Sequence, residues 1–439
     1  MNDVMSTPIR RLIERIDSRK AVIGIVGLGY VGVPLAARFV DEGFSVIGID
    51  TDRGKVSALE SGQSYIRHIS EATVQRMVEK GFSATSDFSV SGEMDAIIIC
   101  VPTPLTKNRE PDLSHIRSTL ESLIQHMRVG QVISLESTSY PGTTEDEIVV
   151  RVQSRGFEIG QDLCVLYSPE REDPGRKDFT TKTTPKVFSG HTASCRTVGR
   201  TLYGAIVDDV VMVGSLRAAE LTKLLENIHR AVNIGLVNEF KIVCDRMGVN
   251  VHEIISAAAT KPFGFVPYRP GPGLGGHCIP IDPFYLTWKA REYGVNTRLI
   301  ELAGEVNRSM PQFVVQKVQD SLNRVGKPVA NARICVVGLA YKKNIDDWRE
   351  SPAIEIINLL QELRANISVI DPYISNLRGI VGDRATVGAL DPEYIRKQDC
   401  IVLVTDHDDL PYEMFMEHSS LLIDTRGRFP AGDSRVVTA

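Results

Sequence analysis

The stretch Ala21-Val-Ile-Gly-Ile-Val-Gly-Leu-Gly-Tyr-Val-Gly-Val-Pro-Leu-Ala-Ala-Arg-Phe-Val40 decides the fold. Ala21 to Val26 is an unbroken apolar run rich in β-branched residues, which predicts a parallel strand buried on both faces. It leads straight into Gly27-x-Gly-x-x-Gly32, after which the apolar residues recur at helical spacing. A second strand, Ser45-Val-Ile-Gly-Ile49, ends at Asp50. A lone GxGxxG is a weak signal. This one has a strand before it, a helix after it and an acidic residue closing the next strand. Gly27 would make the tight turn, Gly29 would let a pyrophosphate reach the helix N-terminus, and Gly32 would permit close helix–strand packing. Tyr30 and Val31 complete the loop and are candidate contacts to the same ligand. Asp50 would accept from ribose hydroxyls and repel a 2′-phosphate, so the expected cofactor is NAD rather than NADP.

Further strands are expected at Ala96-Ile-Ile-Ile-Cys-Val101 and Gln131-Val-Ile-Ser-Leu135, followed by the turns Pro102-Thr-Pro104 and Glu136-Ser-Thr-Ser139. In a doubly wound sheet the carboxyl ends of the strands line the ligand crevice, so Pro102, Thr103, Ser137 and Thr138 are candidates to face the nicotinamide half. Turn and cap chemistry explains each of them equally well taken singly. A strand Cys164-Val-Leu-Tyr167 places Glu170 of Ser168-Pro-Glu-Arg-Glu-Asp-Pro-Gly175 on the crevice side as well.

Residues 215–247 keep helical spacing throughout, with Glu220, Lys223 and Asn227 on one face and Leu221, Leu224, Leu225, Ile228 and Val232 as an apolar surface elsewhere. A helix of that length spans two domains or forms a subunit interface. Next comes Gly271-Pro-Gly-Leu-Gly-Gly-His-Cys-Ile-Pro-Ile-Asp282, a thiol on a backbone almost bare of side chains. Gly271, Gly273, Gly275 and Gly276 open the main chain to close approach, and the prolines stiffen it. By itself the run fits a structural loop with an inert cysteine or a presented nucleophile. A thiol that adds to a carbonyl needs a cation and an amide donor for the oxyanion, which Lys223 and Asn227 would supply; Asp282 could hold a water beside the sulfur. His277, adjacent in an extended loop, points away from the thiol and is taken as structural. A helix over residues 312–325, a strand Ala332-Arg-Ile-Cys-Val-Val337, a helix over 351–363 and strands at 367–370, 400–404 and 421–424 rebuild a second α/β domain. Lys342, Lys343, Arg349 and Arg426 at its turns suit an anionic ligand such as a nucleotide diphosphate, or are ordinary surface charge.

Composition narrows the class. A length of 439 residues suits two or three domains, and a net charge of −5 offers no basic footprint for nucleic acid. No apolar run reaches the roughly 18–20 residues of a membrane span, and the N-terminus lacks an apolar signal core, so a cytoplasmic protein with no membrane partner is expected. Seven cysteines without a CxxC pair indicate a reducing compartment, and the nine histidines show no metal-ligand spacing, so no metal is expected.

Together these motifs resemble the UDP-glucose/GDP-mannose dehydrogenase family over nearly the whole chain. The resemblance rests on Gly27-x-Gly-x-x-Gly32, Ser137-Thr138, Ser168-Pro-Glu170, Lys223-x-x-x-Asn227, Gly275-Gly-x-Cys278-x-x-x-Asp282 and Arg349-Glu-Ser-Pro352. It implies two Rossmann-like doubly wound α/β domains joined by a central long-helix dimerisation segment: residues 1–210 for NAD, 211–325 for dimerisation with the cysteine loop, and 326–439 for the UDP-sugar. It implies four-electron oxidation of a nucleotide sugar at C6 by two NAD⁺, in a homodimer or higher homo-oligomer. Cys278 would be the nucleophile, Lys223 and Asn227 would stabilise the oxyanion, Thr138 and Asp282 would position water, and Glu170 would lie near substrate and water. The family's cofactor contacts fall on Lys55 and, from a neighbouring subunit, Arg349. Its substrate contacts fall on Arg269, the loop through Gly271, Gly273 and Gly275, Lys342 and Arg426. Pro174 and Ile281 stand where the UDP-glucose enzymes carry Glu and Lys, and the loop versions look like the branch acting on UDP-N-acetylhexosamines. Within that branch UDP-N-acetyl-D-glucosamine is favoured, with UDP-ManNAc, UDP-GalNAc and UDP-glucose as alternatives. A two-electron β-hydroxyacid dehydrogenase would need neither the cysteine loop nor the second α/β domain, and a silent nucleotide sensor has no use for the thiol.

Overall fold

The computed structural model describes residues 5–66, 69–106, 108–171, 180–276, 279–430 and 432–439. His277 and Cys278 therefore lie outside the described residues. Two compact units emerge: residues 1–226 with 284–294, and residues 227–283 with 295–439.

The first unit is built on β1 (Val22–Val26), β2 (Ser45–Ile49), β3 (Phe82–Thr85), β4 (Ala96–Ile99), β5 (Val132–Leu135), β6 (Cys164–Tyr167), β7 (Lys186–Gly190) and β8 (Val210–Met212). Their order is β3-β2-β1-β4-β5-β6-β7-β8, parallel except where β7 pairs antiparallel with β6. The order reverses between β1 and β4, and the Gly27–Gly32 loop sits at the end of β1, the switch point where such sheets take ligands. The central strands are apolar on both faces because helices cover both; Ile23, Ile25, Ile97, Ile133 and Val165 are fully buried. An N-terminal helix, Thr7–Asp17, precedes β1. It buries Ile9, Leu12 and Ile16, and Arg15 reaches Asp95 at 2.7 Å just ahead of β4.

The second unit carries β9 (Arg333–Val337), β10 (Asn366–Ile370), β11 (Thr386–Val387), β12 (Cys400–Leu403), β13 (Leu422–Asp424) and β14 (Val436–Thr438), an all-parallel sheet in the order β11-β10-β9-β12-β13-β14. It repeats the doubly wound pattern of the first sheet. Ser351 caps the helix Pro352–Glu362, accepting from the Ala353 N–H, as its place ahead of a proline suggests. The helix expected over 312–325 starts earlier, at Arg298, and runs through Pro311 to Arg324.

The helix Leu216–Met247 crosses from the first unit to the second at Glu226 and Asn227. Its faces differ from the sequence reading. Glu220 and Lys223 are buried and share the inward stripe with Ala219, Leu224, Ile228 and Ala231, whereas Leu221 and Leu225 are exposed. Steps of three and four residues explain this: 220, 224 and 228 stack on one side, and 221 and 225 are turned away from it. The exposed side continues through Leu236, Phe240, Val243 and Met247, the last 70% exposed. Among the described residues, no helix is long and apolar enough to cross a membrane.

Candidate active site

In the first unit the glycine loop has the geometry that its sequence demands. Gly27 has φ +97°, and a Cβ there would sit 2.7 Å from the Cys100 carbonyl oxygen. A Cβ on Gly32 would collide with the Gly27 carbonyl oxygen, which only glycine avoids. At Gly29 a Cβ would meet no protein atom, so that approach is open to a ligand. The helix Gly32–Asp41 starts without a side-chain cap, which leaves its first amides and the positive end of its dipole for an anion. Asp50 accepts from the Leu28 N–H at 2.9 Å and from the Asp52 N–H at 2.9 Å, and Lys55 lies 3.5 Å from it. Its carboxylate thus shapes the loop at the position where a ribose would sit. Tyr65 donates to the Leu28 carbonyl, and burial with Asp50 raises its phenol. These residues fit a dinucleotide.

At the carboxyl ends of β4 and β5, Ser137 donates to the Val101 carbonyl at 2.7 Å. Tyr285 donates to the carbonyls of Thr103 at 3.1 Å and Pro104 at 3.3 Å, fixing the turn after β4. Thr103, Ser137 and Thr138 are all buried. Beside them lies a charged cluster that the sequence reading passed over. Lys186, the first residue of β7, bonds Glu136 at 2.9 Å and lies 4.0 Å from Glu170. Tyr203 donates to Glu136 at 2.9 Å and shares a 2.6 Å bond with Ser134. Burial pushes the Glu136 carboxyl above its ordinary value, with Lys186 opposing. Burial works against the Lys186 charge too, but Glu136 and Glu170 outweigh it and hold the ammonium above the usual lysine range. The Cys100 thiol is pushed well up by burial and by the same two carboxylates, while Lys186 and Lys223 pull it down. Lys223, 6% exposed, therefore acts on this cluster and is no solvated surface charge.

In the same unit, Glu220 accepts from the Gly142 N–H at 2.5 Å, the Thr144 N–H at 2.9 Å and the Thr144 hydroxyl at 2.7 Å. Burial drives its carboxyl up to about 7, against those bonds. Glu220 ties the start of the helix that bears Lys223 to the turn after Tyr140.

The second unit holds the cysteine loop on a lattice of buried amides. The Gly271 N–H donates to Asn238 at 2.9 Å, Asn238 donates to Asn307 at 2.9 Å, and Asn307 donates to the Ala231 carbonyl at 2.9 Å. Pro311 has no N–H for the Asn307 carbonyl, and Gly273, at φ +134°, lies against that oxygen with room for a Cβ only at 3.2 Å. Gly275 and Gly276 pack on Tyr341, and the Gly276 N–H donates to the Arg349 carbonyl at 3.1 Å. Asp282 opens the helix Asp282–Glu292, is fully buried, and accepts from the Asn227 amide at 2.6 Å. Arg426 donates to the Val404 carbonyl at 2.7 Å and lies so close to Gly271 that a Cβ there would be 2.7 Å from its Nη1. Burial lowers the Arg426 guanidinium below its ordinary value, with Asp406 and Asp424 opposing. Arg269 bonds the Ser256 hydroxyl at 3.2 Å, Arg349 forks onto Asp347 at 2.6 Å, and Lys342 is half-buried.

Three consecutive stretches match models of one family: its NAD-binding domain over residues 21–207, its central domain over 217–309 and its UDP-binding domain over 335–430. The chain belongs to the UDP-glucose/GDP-mannose dehydrogenase family. It is an NAD-dependent nucleotide-sugar dehydrogenase, an oxidoreductase acting on UDP-sugars. Among its relatives, an NDP-N-acetyl-D-galactosaminuronic acid dehydrogenase of Ralstonia nicotianae is 34% identical over 95% of this chain and 98% of its own. A UDP-N-acetyl-D-glucosamine 6-dehydrogenase of Pseudomonas aeruginosa is 34% identical over 80% of this chain and 83% of its own. The solved UDP-D-ManNAc dehydrogenase of Pyrococcus horikoshii superposes with a TM-score of 0.84 at 30% identity, covering 94% of this chain and 97% of that one.

Within this UDP-sugar dehydrogenase, three groups of expected residues come together: Asp50 with Lys55 and the glycine loop, Asn227 with Asp282, and Arg426 with Gly271. Arg349 is half-exposed and engaged by Asp347 of its own chain. Sequence reasoning missed Lys186, Tyr203, Asn238 and Asn307, and it treated Glu136 only as a turn residue. A lone lysine opening the apolar strand Lys186-Val-Phe-Ser-Gly190 was the one available hint.

Proposed function

We propose that this enzyme oxidises the C6 hydroxyl of UDP-N-acetyl-D-glucosamine to the carboxylate in two hydride transfers through a covalent intermediate on Cys278, for surface polysaccharide synthesis. When bound, NAD⁺ supplies the hydride acceptor for each transfer. The alcohol loses a hydride and a proton to give the C6 aldehyde. The Cys278 thiolate adds to that carbonyl to form a thiohemiacetal, whose oxyanion Lys223 and Asn227 stabilise by charge and hydrogen bonding. A second hydride loss gives a thioester, and water, positioned by Thr138 and Asp282 near Glu170, cleaves it to the acid and frees the thiol. Overall one alcohol, one water and two NAD⁺ become one carboxylate, two NADH and three protons.

Gly27, Gly29, Tyr30, Val31, Gly32, Asp50, Lys55, Pro102, Thr103, Ser137 and Thr138 hold the cofactor in this reading, with Arg349 of a neighbouring copy. Arg269, Gly271, Gly273, Gly275, Lys342 and Arg426 hold the nucleotide sugar. The domains are 1–210, 211–325 and 326–439. The exposed apolar side chains of the helix Leu216–Met247 support a homodimer formed along it, in the cytoplasm. The observation that supports the chemistry most is the 2.6 Å contact of Asn227 with a fully buried Asp282, four residues past Cys278. A carboxylate is rarely buried without a task or a partner.

The test is NADH yield per mole of sugar, with the gluco, galacto and manno UDP-N-acetylhexosamines and UDP-glucose in parallel. Two equivalents from UDP-N-acetyl-D-glucosamine alone is the expected result. Two equivalents from another sugar would move the specificity and keep the mechanism, and a single equivalent would remove the thioester step.

A further inference from the structure

Lys186 and Glu136 are the charged pair for which the reaction as written has no use. Both lie in the first unit, and their side chains are 6% and 0% exposed. A buried ion pair is a poor stabiliser: leaving water costs each ion several kcal/mol, and apolar residues of similar size commonly serve the fold as well. The geometry instead shows an ammonium shared unequally. Lys186 is locked on the inner side by Glu136 at 2.9 Å, which is itself held by Tyr203 at 2.9 Å, and on the outer side it faces Glu170 at 4.0 Å. The Lys186 Nζ also stands 5.2 Å above the Tyr203 ring, so the ammonium is fixed from two directions. Glu170 is less enclosed, its side chain 10% exposed. It lines a small hollow with Pro169, Arg171, Thr184, Pro185 and Lys186. The neighbouring Arg171 is pinned as well, bonding Glu226 at 2.7 Å and the Pro185 carbonyl at 2.6 Å. Ahead of Glu170, Ser168 donates to the Val187 carbonyl at 2.8 Å, so Glu170 lies between two held side chains with the Lys186 ammonium 4.0 Å from its carboxylate.

We infer that Lys186, anchored by Glu136 and Tyr203, is a positioning residue that holds the Glu170 carboxylate in its working orientation. This rests on the role proposed above for Glu170 beside substrate and water. Lys186 touches neither substrate nor cofactor in this scheme and acts only through Glu170. An apolar residue could fill its volume without orienting a carboxylate.

The experiment compares wild type with E170Q, K186R, E136Q and the volume-matched double variant K186M/E136L, measuring kcat and KM for the UDP-sugar, NAD⁺ affinity and Tm. General acid–base and positioning groups are typically worth about 10²-fold or more in rate, so E170Q should lower kcat by about that factor. K186M/E136L should keep its Tm and NAD⁺ affinity but lose at least about 10-fold in kcat, with KM changed by less than about threefold; K186R should recover most of the loss. A double variant with wild-type kcat would make the pair purely structural and overturn the inference. If that variant does not fold, E136Q decides. It keeps the size and the Tyr203 partner while releasing the ammonium, so lowered kcat at unchanged Tm supports positioning and unchanged kcat refutes it. The reading beneath fails separately: wild-type kcat in E170Q overturns the role of Glu170 and the inference with it. A wild-type enzyme that forms no NADH from any UDP-sugar overturns the proposed function itself.

Discussion

Glu220 makes a pH-dependent stability that can be worked out in advance. Its carboxyl is fully buried and accepts three hydrogen bonds from Gly142 and Thr144, yet burial dominates and lifts it from 4.5 to about 7. A group whose folded pKa is raised binds more protons folded than unfolded. Its contribution is therefore complete below the unfolded value and is lost as pH rises through the folded one. Between pH 5 and pH 8 the loss comes to roughly 2 to 3 kcal/mol, at 1.36 kcal/mol per unit. E220Q has no proton to lose, so its stability should lack this component and fall less over the same range. Trp288 reports on the first unit, with its ring 5.1 Å from Tyr140. Urea unfolding followed by Trp288 emission in a W348F background, at pH 5, 6, 7 and 8, would give the two curves. Since the chain has two units, only the transition seen by Trp288 should be fitted. Parallel curves for the two proteins would show that Glu220 is already ionised at pH 5 in the folded state and refute the reasoning.

Three further outcomes are expected. G29A places its Cβ in open space, so it should keep Tm within about 1 °C while weakening NAD⁺ binding several-fold, whereas G32A collides with the Gly27 carbonyl and should lower both, by about 1–3 kcal/mol in stability; calorimetric titration and melting separate the two. C278S should bind NAD⁺ and UDP-sugar with near-normal affinity but lose sustained turnover, and steady-state NADH formation at the wild-type rate would exclude a covalent route. D282N keeps the size of a residue that accepts from Asn227 at 2.6 Å but turns an acceptor into an amide, so kcat should fall by at least about 10² with modest change in sugar affinity; equal loss of kcat and binding would point to collapse of the loop.

What the sequence made legible tracks how local the physics is. The first β-strand, the glycine loop and Asp50 were readable because strand period, turn conformation and ribose recognition all act within one βαβ unit. β9, β10, β12 and β13 of the second sheet were placed to within a residue or so because each is a short apolar run closed by a polar turn, whereas the short edge strands β11 and β14 were missed. Pairing of Lys186 with Glu136 was not readable, since fifty positions separate them and each looks like an ordinary strand or turn residue until β5, β6 and β7 are side by side. The faces of Leu216–Met247 were misassigned for a related reason. Grouping the leucines by chemistry put Leu221 and Leu225 on one surface with Leu224 and Ile228, but the stripe that faces the fold is set by angle, and it takes Glu220 and Lys223 with it. A buried charge on a helix is invisible to a hydrophobicity pattern because the pattern counts it as surface.

The cysteine loop shows the same limit from the other side. Its glycines and prolines announce an open, stiff main chain, but stiffness alone does not say where the loop is held. Asn238 and Asn307 do that, each buried and each using donor and acceptor at once, so that Ala231, Asn307, Asn238 and Gly271 are tied in one continuous chain of hydrogen bonds. Pro311 adds to it by withholding an N–H from the Asn307 carbonyl and leaving that oxygen beside Gly273. A proline inside a helix would ordinarily read as a break or a fault. Here the bond it forfeits faces the loop, and any side chain at Gly273 would press on that carbonyl while also meeting the strain of φ +134°. Helix defect and loop glycine are therefore one feature seen from two places in the sequence.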